Sequence, residues 1–188
     1  ISGSDNGVPV SNTLEIVGSN IDMNNLIIIT AAPNKRHFYI NGANAKLILR
    51  YLKLVGGDVS SYSWPDYSGG SIYIDTNGGE LNLYSSIVFN NKATFGGGIY
   101  AQGAYGASST NIYAIINIYN SIINNNAVTP GGGGILMNCA VGTIYNTTID
   151  NNQAGDVGVG GGMYISYSHV TMKNTIISNN DAYRGGGL

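Results

Sequence analysis

Asp66, Asp156 and Asp181, with Arg184 close by, are the side chains whose type and placement would suit chemistry on a polymer of sugars. Glycosidic cleavage needs two carboxylates flanking the bond, or an acidic calcium cluster with a basic proton acceptor. The three aspartates fall in comparable connections, so they would line one edge of a repeating structure. The chain holds only ten acidic residues in its 188 positions. Scattered aspartates in turns are ordinarily solvated. The balance favours a chain without catalytic residues, and the polysaccharide-acting enzyme stays as the alternative.

A second cluster lies in GDVSSYSWPDYS (57–68), which gathers Tyr62, Trp64, Asp66 and Tyr67. Aromatic rings beside an acidic hydrogen-bond acceptor suit stacking on a sugar face or a partner surface. These four are the candidate ligand-binding residues. The competing reading folds Trp64 back as a lid over the protein's side.

Other reactive types are sparse. His37 and His169 stand apart from any acidic or cysteine cluster, so both are expected at the surface. Neither a metal nor a cofactor is expected. Cys139 is the sole cysteine, which rules out an intrachain disulfide and leaves a small buried hydrophobe. Ser86, Ser121, Thr147 and Thr175 recur at one position, as buried hydroxyls bonded to backbone do and nucleophiles do not. A net charge of −2 with 10 % charged residues gives no footprint for nucleic acid. Apolar runs such as LIII (26–29) are too short to span a bilayer.

The elements that would hold these side chains announce themselves as a repeat. FGGGIY (95–100), GGGGILM (131–137), GGGMYI (160–165) and GGGL (185–188) each set glycines before an apolar residue. Between them fall SSIVFNNKA, NSIINNNAV, NTTIDNNQA and NTIISNNDA, whose asparagine pairs share one register: Asn90 and Asn91, Asn125 and Asn126, Asn151 and Asn152, Asn179 and Asn180. Asparagine tolerates left-handed backbone angles, so each pair reads as a tight bend. No Lys-Ser/Thr follows any glycine block, as a phosphate-binding loop would require.

Within a unit the apolar residues alternate with period two, the signature of strands. The first strand buries Ile72 and Ile74, Ile99 and Ala101, or Ile135 and Met137, and sets Tyr39, Tyr73, Tyr100 and Tyr164 on its other face. The second buries Leu81 and Leu83, or Ile116 and Ile118. The third carries Val88, Ile123, Ile149 and Ile177. Such a unit cannot bury its own apolar face, whereas stacked copies can. The sequence therefore predicts an all-β, right-handed parallel β-helix of three strands per coil and about six coils. One domain spans 1–188, with degenerate opening coils over 1–57 and regular repeats over 58–188, and it reads as a fragment of a longer solenoid.

Residues 69–188 resemble the polymorphic outer-membrane-protein repeat family, whose units pair FxxN with GGA[ILV] motifs. Val88 to Asn91, Ile123 to Asn126, Ile149 to Asn152 and Ile177 to Asn180 match the first, with an aliphatic residue in place of Phe. Gly96 to Ile99, Gly132 to Ile135, Gly160 to Met163 and Gly185 to Leu188 match the second, with Gly in place of Ala. The resemblance implies a secreted, cell-surface or particle-surface location and an adhesive or scaffolding role. A glycan or cell-surface ligand is the expected partner, with end-to-end self-association through coil edges as a fibre-forming option. Nucleic acid and membrane insertion are not expected. Asn146-Thr147-Thr148 is a glycosylation sequon that a eukaryotic secretory route would use.

Overall fold

Short alternating runs, each stopped by asparagine or glycine, make strands of three to seven residues that stack on copies of themselves. The computed structural model describes residues 7–61, 67–105 and 111–188. Coil 1 holds β1 (Val8–Val10), β2 (Thr13–Val17) and β3 (Ile27–Thr30), and coil 2 holds β4 (Phe38–Ile40), β5 (Lys46–Arg50) and β6 (Leu52–Val55). Coil 3 follows with β7 (Ile72–Ile74), β8 (Gly79–Tyr84), β9 (Ile87–Phe89) and β10 (Lys92–Phe95). Coil 4 comprises β11 (Ile99–Gln102), β12 (Ala114–Tyr119), β13 (Ile122–Asn124) and β14 (Ala127–Gly131). Coil 5 has β15 (Ile135–Asn138), β16 (Ala140–Tyr145), β17 (Thr148–Asp150) and β18 (Gln153–Val159). Coil 6 has β19 (Met163–Ser166), β20 (His169–Lys173), β21 (Ile176–Ser178) and β22 (Asp181–Arg184). No helix occurs among the described residues.

Equivalent strands pair in parallel, giving three six-stranded sheets and one four-stranded sheet. The fold is a parallel β-solenoid. Register sets like over like: Phe38, Ile72, Ile99, Ile135 and Met163 form one rung column of the first sheet. Leu49, Leu83, Ile118 and Ile144 form another in the second sheet, and Leu54, Val88, Ile123 and Ile149 one in the third. These residues make one continuous core. Each fully buried aliphatic side chain contributes about 1.5–3 kcal/mol, so shared columns are the main source of stability. The degenerate opening stretch joins the same columns, with Val8 over Phe38, Leu14 over Leu47 and Ile29 over Leu54.

The asparagine pairs divide their labour. Asn90, Asn125, Asn151 and Asn179 take φ of 53 to 54° and face solvent. Their successors point inward as an amide ladder. Asn91 Nδ2 donates to Asn126 Oδ1 (2.9 Å), Asn126 Nδ2 to Asn152 Oδ1 (3.0 Å) and Asn152 Nδ2 to Asn180 Oδ1 (3.0 Å). The same amides also donate to backbone carbonyls, Asn126 to Val88 and Asn152 to Ile123. The inward amides are thus hydrogen-bonded on both their nitrogen and oxygen, which is what makes their burial tolerable. A further column of left-handed residues, Ser85, Asn120, Asn146 and Asn174, turns the second strand into the third.

Two expectations need correction. The link between asparagine pair and glycine block is not a plain connection: from coil 3 onward it is a fourth strand, paired in the order β10-β14-β18-β22 with register shifts in each pairing. Alternation simply continues past the inward asparagine, so Ala93, Val128 and Ala154 are buried as well. His37, expected at the surface, is buried at 4 % exposure. Its Nε2 lies 3.0 Å from the Ile29 carbonyl and its Nδ1 3.0 Å from Ser71 Oγ, so it ties its own coil to the ones before and after.

Candidate ligand-binding face

The fourth sheet carries an outward row in which Lys92, Ala127, Gln153 and Asp181 sit side by side on successive coils. Ala127 is short and its neighbours are long, so the row dips in the middle. Ser60, in the connection leaving coil 2, and the segment Gly155, Asp156 and Val157 of β18 rise on either side. The result is a groove of about 620 Å³. Its polar lining includes the Lys92 ammonium, the Thr94 hydroxyl, the Gln153 amide and the Asp156 carboxylate. None of the four side chains makes a hydrogen bond or ion pair with another described residue. Ser60, by contrast, is held by Asp58, to which its hydroxyl donates at 2.7 Å.

Next to this groove lies the outer face of the first sheet. Tyr39, Tyr73, Tyr100, Leu136 and Tyr164 occupy one row in register. Tyr39 stacks on Tyr73 at 5.6 Å between centroids, and Tyr73 on Tyr100 at 5.4 Å. The tyrosines do face away from the main core, yet Tyr73, Tyr100 and Leu136 are buried against one another, with Tyr39 and Phe95 packed around them. Each phenol reaches the polar residue one coil on: Tyr39 donates to Asp75 (2.5 Å), Tyr73 to Gln102 (2.9 Å), and Tyr100 engages Asn138. Burial, the largest cause, pushes the Tyr73 phenol well above its usual range and the Tyr100 phenol up to about 12. Both phenols are neutral at ordinary pH.

Of the residues expected to bind a ligand, Tyr67 is half-buried with its ring 5.6 Å from that of Phe95. It therefore abuts the tyrosine row. Tyr62, Trp64 and Asp66 lie outside the described residues. Asp156 and Asp181 are exposed on neighbouring strands, β18 and β22, and Arg184 ends β22 beside the Tyr183 ring. Asn146 is exposed at its corner, where its Nδ2 donates to Asn120 Oδ1 at 2.8 Å. The repeating hydroxyls are bound to backbone: Ser86, Ser121 and Thr147 donate to the carbonyls of Tyr84, Tyr119 and Tyr145. Cys139 is buried. Among the described residues no group of three or more His, Cys, Asp or Glu could hold a metal ion.

Sequence reasoning missed Lys92, Thr94, Gln153 and the dip at Ala127. The signal was present in the segments KATF, AVTPG and QAGDVGV, whose alternation runs on from the buried asparagines. No family model, no curated protein and no solved structure matches the chain.

Proposed function

We propose that this chain is a non-catalytic stretch of a secreted or surface β-solenoid that serves as scaffold and adhesin and holds a glycan on one side. One observation carries the reading: a groove crossing three coils presents Lys92, Thr94, Gln153 and Asp156 with no side-chain partner among the described residues. Unpaired donors and acceptors of mixed charge, aligned along the axis at about 4.8 Å per coil, suit an extended polymer rich in hydroxyls. The exposed Tyr164 end of the tyrosine row adds apolar area with a polar edge. The repeat motifs support a surface location, since they resemble those of surface β-helices.

A glycan array probed with the intact chain tests this. Binding to oligosaccharides that drops at least tenfold in the Gln153→Ala, Lys92→Ala double variant is the expected result. Undiminished binding by that variant, or no binding by the parent, rejects the groove as the ligand site.

The enzyme reading rests on Asp156 and Asp181, which occupy adjacent strands on the same face. Incubating neutral and uronate polymers with the chain, with and without calcium, separates the two. Release of new chain ends, lost in Asp156→Asn, would make the chain a polysaccharide-cleaving enzyme.

A further inference from the structure

The tyrosine row has one missing rung. Tyr39, Tyr73 and Tyr100 stack in successive coils, but in coil 5 the same place is taken by Leu136, and Tyr164 resumes the row in coil 6. Leucine is shorter than tyrosine and carries no hydroxyl. Two things follow. The stack is interrupted above Tyr100, and Ser166, the residue a phenol at position 136 would reach by the pattern of its neighbours, keeps a half-buried hydroxyl with no partner among the described side chains.

The interruption is a concavity of about 290 Å³. Leu136 is its floor, with Phe95 and Tyr100 on one side and Tyr164 and Tyr167 on the other. Tyr164 and Tyr167 are 38 % and 76 % exposed, and Tyr105, from the connection after β11, packs on Tyr167 at 5.7 Å. Asn138 and Ser166 stand at the rim. No acidic or basic side chain lines it, in contrast to the neighbouring groove.

We propose that this notch is a subsite for one neutral pyranose ring of a glycan. Its apolar C–H face lies on Leu136 and Tyr164, in the place of the absent tyrosine, and its hydroxyls bond to Ser166 and Asn138. The volume lies just below the roughly 300–1,000 Å³ typical of ligand pockets, so it takes a single ring. Hydroxyl-bearing edges fit the Ser166 hydroxyl, which an aromatic side chain of a partner protein would leave unpaired, and the capacity of the Asn138 amide beyond its bond to Tyr100. The absence of charge from the lining selects a neutral sugar over a uronate. The proposal deepens the adhesive reading and rests on it.

Titration of the intact chain with neutral methyl hexopyranosides, followed by saturation-transfer NMR and by shifts of tyrosine ring protons, tests the subsite. Leu136→Tyr restores the missing rung, so it should abolish pyranoside binding while the melting temperature holds or rises. Ser166→Ala should weaken binding about fivefold, the loss of one hydrogen bond. Raising salt to 0.5 M should leave the affinity unchanged, as no ion pair is involved. Equal binding by Leu136→Tyr overturns the proposal, as does preference for phenol or tryptophanamide over every pyranoside. Should Leu136→Tyr not fold, Tyr164→Ala takes its place with the same expectations for binding. If longer oligosaccharides still bind to Leu136→Tyr and are lost with Gln153→Ala and Lys92→Ala, the notch fails and the adhesive reading stands. If no sugar binds the parent, both fail.

Discussion

At the scale of single residues, the buried histidine makes the protein sensitive to acid. His37 is enclosed by its own coil and by Ile29, Val55 and Ser71, and burial lowers its pKa from the usual 6.5 to about 4. Carbonyl contacts with Ile29 and Val55 act the other way and lose to desolvation. In the folded state the ring is neutral, with Nε2–H donating to Ile29 and Nδ1 accepting from Ser71. The unfolded chain binds a proton at higher pH than the folded one. His37 therefore contributes its full share of stability above pH 6.5, and this share is lost as pH falls from there towards 4. A displacement of this size corresponds to roughly 3 kcal/mol, a sizeable part of a domain's usual 5–15 kcal/mol. Urea unfolding at pH 7.5, 6, 5 and 4 should show the decline, and His37→Gln should flatten it across that window. The same slope in the variant would mean that other groups titrate.

At the scale of an element, the glycine blocks join the fourth sheet to the first, and the glycines of 131–134 are not equivalent. Gly132 turns the chain with φ +70°, and Gly133 passes so close to coil 6 that a Cβ would lie 2.2 Å from the Gly161 carbonyl oxygen and 2.8 Å from Gln153 N. Both obstacles are backbone, which cannot step aside. Gly131, one residue earlier than the turn, has only side-chain carbons of Phe95 and Val159 near, each at 3.8 Å. Gly133→Ala should thus cost about 3 kcal/mol or more, and Gly131→Ala under about 1 kcal/mol. Thermal melts of the two variants side by side check the contrast, and equal effects would place the strain elsewhere. This asymmetry shows what the sequence could disclose. Glycine-glycine-glycine before an aliphatic residue, with the asparagine pair one corner earlier, sufficed for three of the four strands of a coil, their register and the inward direction of Ile135. It could not separate a glycine needed for its φ from one needed for its missing Cβ, because that depends on the coil above. The binding face was legible only in fragments. Asp156 and Tyr67 stood out by type, whereas the groove exists because Ala127 is small between Lys92 and Gln153, and the notch because Leu136 interrupts a row of tyrosines. Both are differences between copies, and they become visible once register is known.

At the scale of the molecule, six coils share one core, so injury in one coil is felt by its neighbours and fades with distance. Ile149 in β17 is fully buried, stacked between Ile123 and Ile177, and its carbonyl accepts from Asn180 Nδ2 at 2.9 Å. Ile149→Asp would set an unpaired carboxylate among aliphatic columns that hold no counter-charge, at a cost of several kcal/mol unless the coil opens. Opening releases the amide ladder between Asn126, Asn152 and Asn180 and strips the pairing partners from β13 and β21. In a stack whose stability is a sum of coil and nearest-neighbour contributions, coils 4 and 6 then lose protection together with coil 5. Coils 2 and 3 keep their own columns, Leu49 over Leu83 and Leu54 over Val88. Hydrogen exchange read by mass spectrometry should accordingly show fast amides through β11 to β22 and near-parental protection in β5 and β8. Thr148→Asp, one residue earlier and facing outward on the same strand, should leave the whole pattern unchanged. Uniform loss of protection along the chain in Ile149→Asp would mean that the solenoid unfolds as a single unit, and unchanged protection would remove Ile149 from the core column.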